Sequence, residues 1–366
     1  VKGKTIVVKL GTTTVTEPSG EADRRTVGRL CDEIAELCSE GHQVVVVTSG
    51  AIAVGWAAMG AGEARPTDPA VLQAVSAVGQ PMLMKVWQEG LAPHHLVAGQ
   101  VLLASLDFGH RQQYLHARGT LGRLLELGAV PVVNENDPVA DDEIRFGDND
   151  RLSALVAHLV HADLLVLLTD TAGLFTADPR SVSGASLIEE VVEIDAQLEA
   201  VAGGPGSQAS SGGMASKLAA AKMATWSGVT AVIADGRRPG VLRSAVDADA
   251  GVGTVFRPRA VRLPARKLWI AFALPARGRI TVDEGARRAV MSGGRSLLPA
   301  GVVDVTGPFE PEDAVEVAGP DGEVFAKGLA RHHASHRADW VGRRSADLPD
   351  GSPHEVIHRD DLVILA

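Results

Sequence analysis

Lysine is scarce in the first 257 residues, occurring only at positions 2, 4, 9, 85, 217 and 222. Lys9 closes an apolar run and is followed by Leu10-Gly11-Thr12-Thr13. A positive charge at the carboxyl end of a buried strand, beside a glycine turn, lies where open parallel sheets bind ligands; a solvated strand end would look the same. Lys217 follows Ser211-Gly212-Gly213-Met214-Ala215-Ser216 at a helix start. Pliant glycine backbone, a helix N-terminus and one ammonium make a cradle for polyphosphate; a disordered loop with an incidental lysine would read the same way. Thr48-Ser49-Gly50-Ala51 ends a second apolar run and enters a helix, so its N–H groups can face an anion, although Ser and Gly equally suit an N-cap and a turn. The chain has three asparagines, all in Asn134-Glu135-Asn136-Asp137 and Asp148-Asn149-Asp150. Clustered amides and carboxylates supply donors and acceptors together, which suits a ligand carrying both ammonium and carboxylate. Thr169-Asp170 adds polar groups after a fifth apolar run.

These clusters need a scaffold that brings strand ends to one edge. Apolar runs at Thr5–Leu10, Gln43–Thr48, Leu96–Leu103, Val130–Asn134, Asp163–Thr169 and Val229–Ala234 alternate with segments of helical period at Asp23–Glu40, Pro69–Gly90, Tyr114–Leu127, Arg151–Leu159 and Met214–Ser227. Continuous runs such as Val44–Val47 predict strands buried on both faces. The alternation predicts an α/β fold with a mainly parallel sheet and helices on both sides. Arg257–Lys267, with two prolines and five basic residues, reads as a linker. Beyond it, short strand-like runs at Ile280–Val282, Val302–Val305, Ala314–Val317, Val324–Gly328 and Asp361–Leu365 predict a small, mostly-β barrel. The division is 1–257, a linker at 258–267, and 268–366.

Composition narrows the field. A net charge of −10 gives no general attraction for nucleic acid or anionic membrane, so phosphate binding requires a local site. Residues 267–366 carry 12 Lys and Arg against 15 Asp and Glu, which does not favour RNA binding as the main activity, although Arg287-Arg288 and Arg343-Arg344 could form a local patch. His332, His333 and His336 are expected to be solvated surface histidines. Cys31 and Cys38 lie two turns apart on one predicted helix, roughly 10 Å and too far for a disulfide, which fits a reducing compartment. No apolar run has the length of a signal segment or a membrane span, and a cytoplasmic location is expected. Asp107-Phe108-Gly109 and His358-Arg359-Asp360 spell protein-kinase tripeptides in reversed order and without their companions, and the Walker A pattern is absent.

Taken in order, VVKLGT at 7–12, VTSGAIAVG at 47–55, VVNENDPVA at 132–140, FGDNDRLSALVA at 146–157, LLTDTAGLFTADPR at 167–180 and SSGGMASK at 210–217 resemble the amino-acid kinase family, in its branch acting on the side-chain carboxylate of L-glutamate. ITVDEGA at 280–286 and SLLPAGVVDVTGPF at 296–309 look like a PUA domain. The resemblance implies a three-layer αβα sandwich followed by a PUA barrel, and ATP-dependent formation of L-glutamyl 5-phosphate, the first step of proline biosynthesis. It implies that Lys9 and Lys217 flank the transferred phosphoryl group and that Asp150 holds both lysines. Ser49, Asp137 and Asn149 would grip glutamate, with Asn134 nearby; Lys9, Thr169, Asp170 and residues 211–217 would bind ATP, with Mg2+ on its phosphates. It further implies feedback by proline and a homo-oligomer of dimers or tetramers. Kinases of aspartate or N-acetylglutamate are the alternative within the class, and RNA binding by the tail is the alternative outside it. A reactive acyl phosphate also calls for a loop that excludes water, expected within 202–213.

Overall fold

The computed structural model describes residues 3–60, 66–104, 111–139, 149–177, 179, 182, 184–203, 213–260, 262–349 and 351–365. The chain divides into two compact units, Val1–Arg262 and Leu263–Ala366.

The strands of the first unit are β1 (Thr5–Leu10), β2 (Gln43–Thr48), β3 (Ala98–Leu103), β4 (Val130–Glu135), β5 (Leu164–Thr169), β6 (Glu190–Val191), β7 (Thr230–Asp235) and β8 (Thr254–Phe256). Its helices are α1 (Thr12–Val15), α2 (Arg24–Ser39), α3 (Ala51–Ala58), α4 (Pro69–Leu91), α5 (Arg111–Glu126), α6 (Asn149–Leu159), α7 (Ala196–Val201), α8 (Met214–Trp226) and α9 (Val241–Asp247). Among the described residues the strands form one eight-stranded sheet in the order β3-β4-β2-β1-β5-β7-β8-β6. From β3 to β7 the pairings are parallel, and β8 runs antiparallel to β7. The parallel strands therefore end at a common edge, which carries each of the polar clusters.

The register of β1 decides where its lysine goes. Side chains alternate between sheet faces along a strand. Ile6, Val8 and Leu10 enter the core built with α2, α4 and α9, so Val7 and Lys9 project to the other face, where α6 packs against β1 and α8 packs against α6. Helices on both faces of the sheet make three layers. On α2, the buried Val27, Leu30, Cys31, Ile34 and Leu37 repeat at helical spacing, and Asp23 caps the helix by accepting from the Thr26 N–H at 2.9 Å. Both cysteines ride on α2; burial pushes the Cys31 thiol up to about 12, and Cys38 is half-buried.

In the second unit β9 (Gly278–Val282), β10 (Val302–Thr306), β11 (Ala314–Ala318), β12 (Val324–Leu329) and β13 (Leu362–Ile364) form a sheet in the order β10-β9-β11-β12-β13. Its helices are α10 (Ala265–Leu268), α11 (Glu284–Gly293) and α12 (Arg337–Trp340). Ile280, Val290, Phe309, Val317, Phe325 and Trp340 anchor its core. His332 corrects the surface expectation: it is buried and stacks on Trp340 with ring centres 5.0 Å apart. His333 and His336 are exposed. Arg287 is held by Asp321 at 2.8 Å and Glu323 at 3.0 Å, which offsets its charge.

Candidate active site

Two cations and one anion meet where β1, α6 and α8 converge. Lys9 sits one residue before the end of β1, Asp150 in the first turn of α6, and Lys217 in the first turn of α8. Lys9 Nζ lies 2.6 Å from Asp150 Oδ1, and Lys217 Nζ lies 3.3 Å from Oδ2. The Ser216 hydroxyl donates to the same Oδ2 at 2.6 Å. All three charged side chains are at most 5% exposed. Burial alone would raise the Asp150 pKa; the ammonium groups of Lys9 and Lys217 outweigh it and hold the carboxyl below its ordinary value. Burial, reinforced by the charge of Lys9, pulls Lys217 below an ordinary lysine against the opposing attraction of Asp150. The trio carries one net positive charge, held by a carboxylate that cannot leave. The α8 N-terminus, whose cap is Gly213, adds to the positive potential.

Beside this trio lies a run of buried amides. Asn149, next to Asp150 on α6, directs Nδ2 to Ser49 Oγ at 2.9 Å, Asn134 Oδ1 at 2.9 Å and the Thr48 carbonyl at 3.2 Å. Its Oδ1 is buried and accepts from no donor among the described residues. A buried acceptor of this kind needs a partner, and Asn149 lines the cavity. Asn134 at the end of β4 donates from Nδ2 to Gln80 Oε1 at 2.7 Å. Asp137 accepts from the Ser76 hydroxyl. Ser49 follows β2 at the turn into α3, where Gly50 has φ +107° and an added Cβ would stand 2.9 Å from Val15 Cγ2. Only glycine fits that turn without strain.

Thr169 and Asp170 stand at the end of β5 on a further wall, with the Thr169 hydroxyl 3.2 Å from Asp170 Oδ1. The loop after β7 supports this wall: the Gly236 N–H donates to the Thr169 carbonyl at 2.8 Å, and Arg237 Nη2 to the Asp170 carbonyl at 2.6 Å.

A cavity of about 1300 Å3 joins these groups. Lys9, Ser49, Asn134, Asp137, Asn149, Thr169, Asp170, Gly213, Met214 and Lys217 all line it. Asp150 and Ser216 stand behind the lysines, and Ala215 occupies the same turn of α8. Ser211 and Gly212 lie outside the described residues, as does 204–212 of the expected closing loop. Sequence reasoning missed Trp56 on the cavity wall, and Ser76 and Gln80 behind it. The signal available for the last pair was two polar residues four apart on the buried stripe of α4, among Leu72, Val75, Gly79 and Leu83.

Comparisons with known proteins bear on the family and the fold. The amino acid kinase family matches residues 4–235, and the PUA domain matches residues 278–349. The glutamate 5-kinase of Pelobacter propionicus is 45% identical over 100% of this chain and 98% of its own length. That of Mycobacterium ulcerans is 46% identical over 98% and 96%. Among solved structures, carbamate kinase from Giardia lamblia bound to AMP-PNP superposes with a TM-score of 0.51 at 18% identity, covering 70% of this chain and 99% of that one. This last likeness bears on the fold.

Proposed function

The chain belongs to the amino acid kinase family and, within it, to the glutamate 5-kinases, and from that premise we propose how its site transfers the γ-phosphoryl group of ATP to the γ-carboxylate of L-glutamate. The product is L-glutamyl 5-phosphate, at the first step of proline biosynthesis. The observation that carries the assignment of roles is the Lys9–Asp150–Lys217 trio beside the unfilled Asn149 acceptor, on one cavity wall.

Phosphoryl transfer depends on alignment and charge stabilisation rather than on covalent help from the protein. Lys9 and Lys217 flank the γ-phosphoryl group, and Asp150 keeps both ammonium groups aimed while tempering their repulsion. Ser49, Asn134, Asp137 and Asn149 hold glutamate by its ammonium and α-carboxylate, so that the γ-carboxylate faces the lysines. That carboxylate is ionised near neutral pH, so its oxygen attacks phosphorus directly and needs no general base. Thr169, Asp170 and residues 211–217 hold the nucleotide. The cavity wall offers ammonium, hydroxyl and amide groups together with the Asp137 and Asp170 carboxylates, while the Asp150 carboxylate behind it is taken by the lysines. Lys9 and Lys217 with these hydroxyl and amide groups suit phosphate oxygens, and Mg2+ held on those oxygens would supply further neutralisation of charge on the transferring group.

Catalysis is assigned to residues 1–257, and stability, assembly or regulation to 268–366, joined by 258–267. L-Proline, with a cyclic ammonium and an α-carboxylate, is the expected feedback ligand at an overlapping site. A homo-oligomer, dimer or tetramer, and a cytoplasmic location complete the reading; no described helix is long and apolar enough to cross a membrane. The test is incubation with Mg·ATP, hydroxylamine and separately L-glutamate, L-aspartate or N-acetylglutamate. Hydroxamate with glutamate alone, abolished in Lys217→Ala, is the expected result. Product only from another acid would overturn the substrate.

A further inference from the structure

Helix α4 carries two polar side chains on its buried face one turn apart, and each reaches a different residue of the amide cluster. Ser76 bonds Asp137, and Gln80 bonds Asn134. Gln80 is itself only 7% exposed, and it is not among the residues lining the cavity. A buried amide at such a position needs a reason, because it must be fully paired or it destabilises the fold.

Backbone groups fix the orientation of the amides ahead of it. The Glu135 N–H donates to Asn134 at 2.9 Å, so the atom it meets is the carbonyl Oδ1, and Nδ2 must point the other way, towards Gln80. The Thr48 carbonyl accepts from Asn149, so the atom facing it is Nδ2. Asn134 Oδ1 then takes the Asn149 amide at 2.9 Å. The chain runs from Gln80 through Asn134 to Asn149 and ends on Ser49. Along it the Asn134 and Asn149 amide nitrogens each have an acceptor, whereas Asn149 Oδ1, buried at the cavity wall, accepts from no donor among the described residues.

Resting on the glutamate reading above, we propose that Gln80 is a positioning residue for recognition of the substrate's α-ammonium. It holds the Asn134 amide plane, which pins the Asn149 amide and leaves Asn149 Oδ1 directed at the ammonium. An acid that lacks an ammonium gains nothing from this alignment. Gln80 acts through two other side chains and touches neither ATP nor the transferred phosphoryl group.

The test compares wild type with Gln80→Met, which keeps length and helix propensity but removes the acceptor, and Gln80→Glu, which keeps an acceptor. In Gln80→Met the KM for L-glutamate should rise about tenfold, the loss of one hydrogen bond to a charged group. The kcat and the KM for ATP should stay within about twofold. Glutarate, which is glutamate without its amino group, should inhibit both proteins competitively with the same constant. Gln80→Glu should recover most of the glutamate affinity. Equal losses for glutamate and glutarate, a matching rise in the KM for ATP, no rise for glutamate, or a Gln80→Glu variant as impaired as Gln80→Met would each overturn the proposal. Wild type that forms no acyl phosphate from glutamate would instead remove the functional reading on which it rests.

Discussion

Replacing Asp150 with asparagine keeps the size of the side chain and removes the charge that two buried lysines share. At 2.6 and 3.3 Å from its oxygens, Lys9 and Lys217 would be left as neighbouring ammonium groups with no counter-charge between them. Removing one partner of a buried ion pair costs about 3–5 kcal/mol, and the urea midpoint of Asp150→Asn should fall accordingly. If half or more of that energy is also lost from alignment in the transition state, kcat drops roughly 100-fold, at 1.36 kcal/mol per factor of ten. The same reasoning gives a less ordinary expectation. Polyphosphate supplies the missing negative charge, so saturating Mg2+ and a non-hydrolysable ATP analogue should stabilise the variant more than wild type, and the gap in urea midpoint should narrow. Urea unfolding with and without the analogue, alongside hydroxamate formation, reads all three quantities. A variant as stable and active as wild type, or a stability gap unchanged by nucleotide, would refute the claim that Asp150 serves as the counter-charge for phosphate-binding lysines.

Acid should erase part of that difference: the Asp150 pKa is lower in the folded chain than the ordinary 3.8, so its contribution is complete above about 3.8 and is lost as pH falls through the folded value. The wild-type advantage over Asp150→Asn in urea should shrink on acidification below that point. The basic limb of kcat/KM for ATP should lie below the ordinary lysine value of 10.5, because Lys217 must be protonated to offset phosphate charge and burial lowers its pKa. Gly50→Ala forces a Cβ onto Val15 at a φ of +107°, and should cost about 1–3 kcal/mol of stability by urea unfolding and raise the KM for glutamate. Glu33→Ala removes the buried carboxylate that accepts from the Gly240 and Leu242 N–H groups, both at 3.0 Å; it should lower stability by about 2 kcal/mol in the same assay.

The parallel strands were legible because each is a continuous apolar run ended by polar residues. β1 and β2 have the same bounds in sequence and structure, β4 and β5 differ by one residue at one end, and β7 is shifted by one residue at both ends. β6 and β8 went unread because runs of two and three residues carry no period, and β8 also breaks the parallel rule. α11 was missed behind its cap at Asp283, in a stretch read for strands. The strand-end clusters announced themselves by rarity, with three asparagines in the chain and six lysines in its first 257 residues. Gln80 and Ser76 did not, since a lone polar residue within an apolar helix reads as surface until the fold shows what it faces. His332 failed for the converse reason: three histidines within five residues suggest solvent, and only the packing against Trp340 shows that one of them turns inward. The proposed linker at 258–267 contains the division after Arg262, yet its first residues are fastened to the first unit, the Arg259 N–H donating to the Thr225 carbonyl at 3.0 Å.

The most direct test of the central claim follows an oxygen atom. Glutamate labelled with 18O in its γ-carboxylate is incubated with the enzyme, Mg·ATP and hydroxylamine, and the released phosphate is examined by mass spectrometry. Attack by that carboxylate on phosphorus leaves its oxygen as the bridge. Hydroxylamine then cleaves at the acyl carbon, so each hydroxamate formed should be matched by one phosphate carrying a single 18O. Phosphate without label, from enzyme that consumes ATP in the presence of glutamate, would contradict direct carboxylate attack and with it the role given to the lysine–aspartate trio.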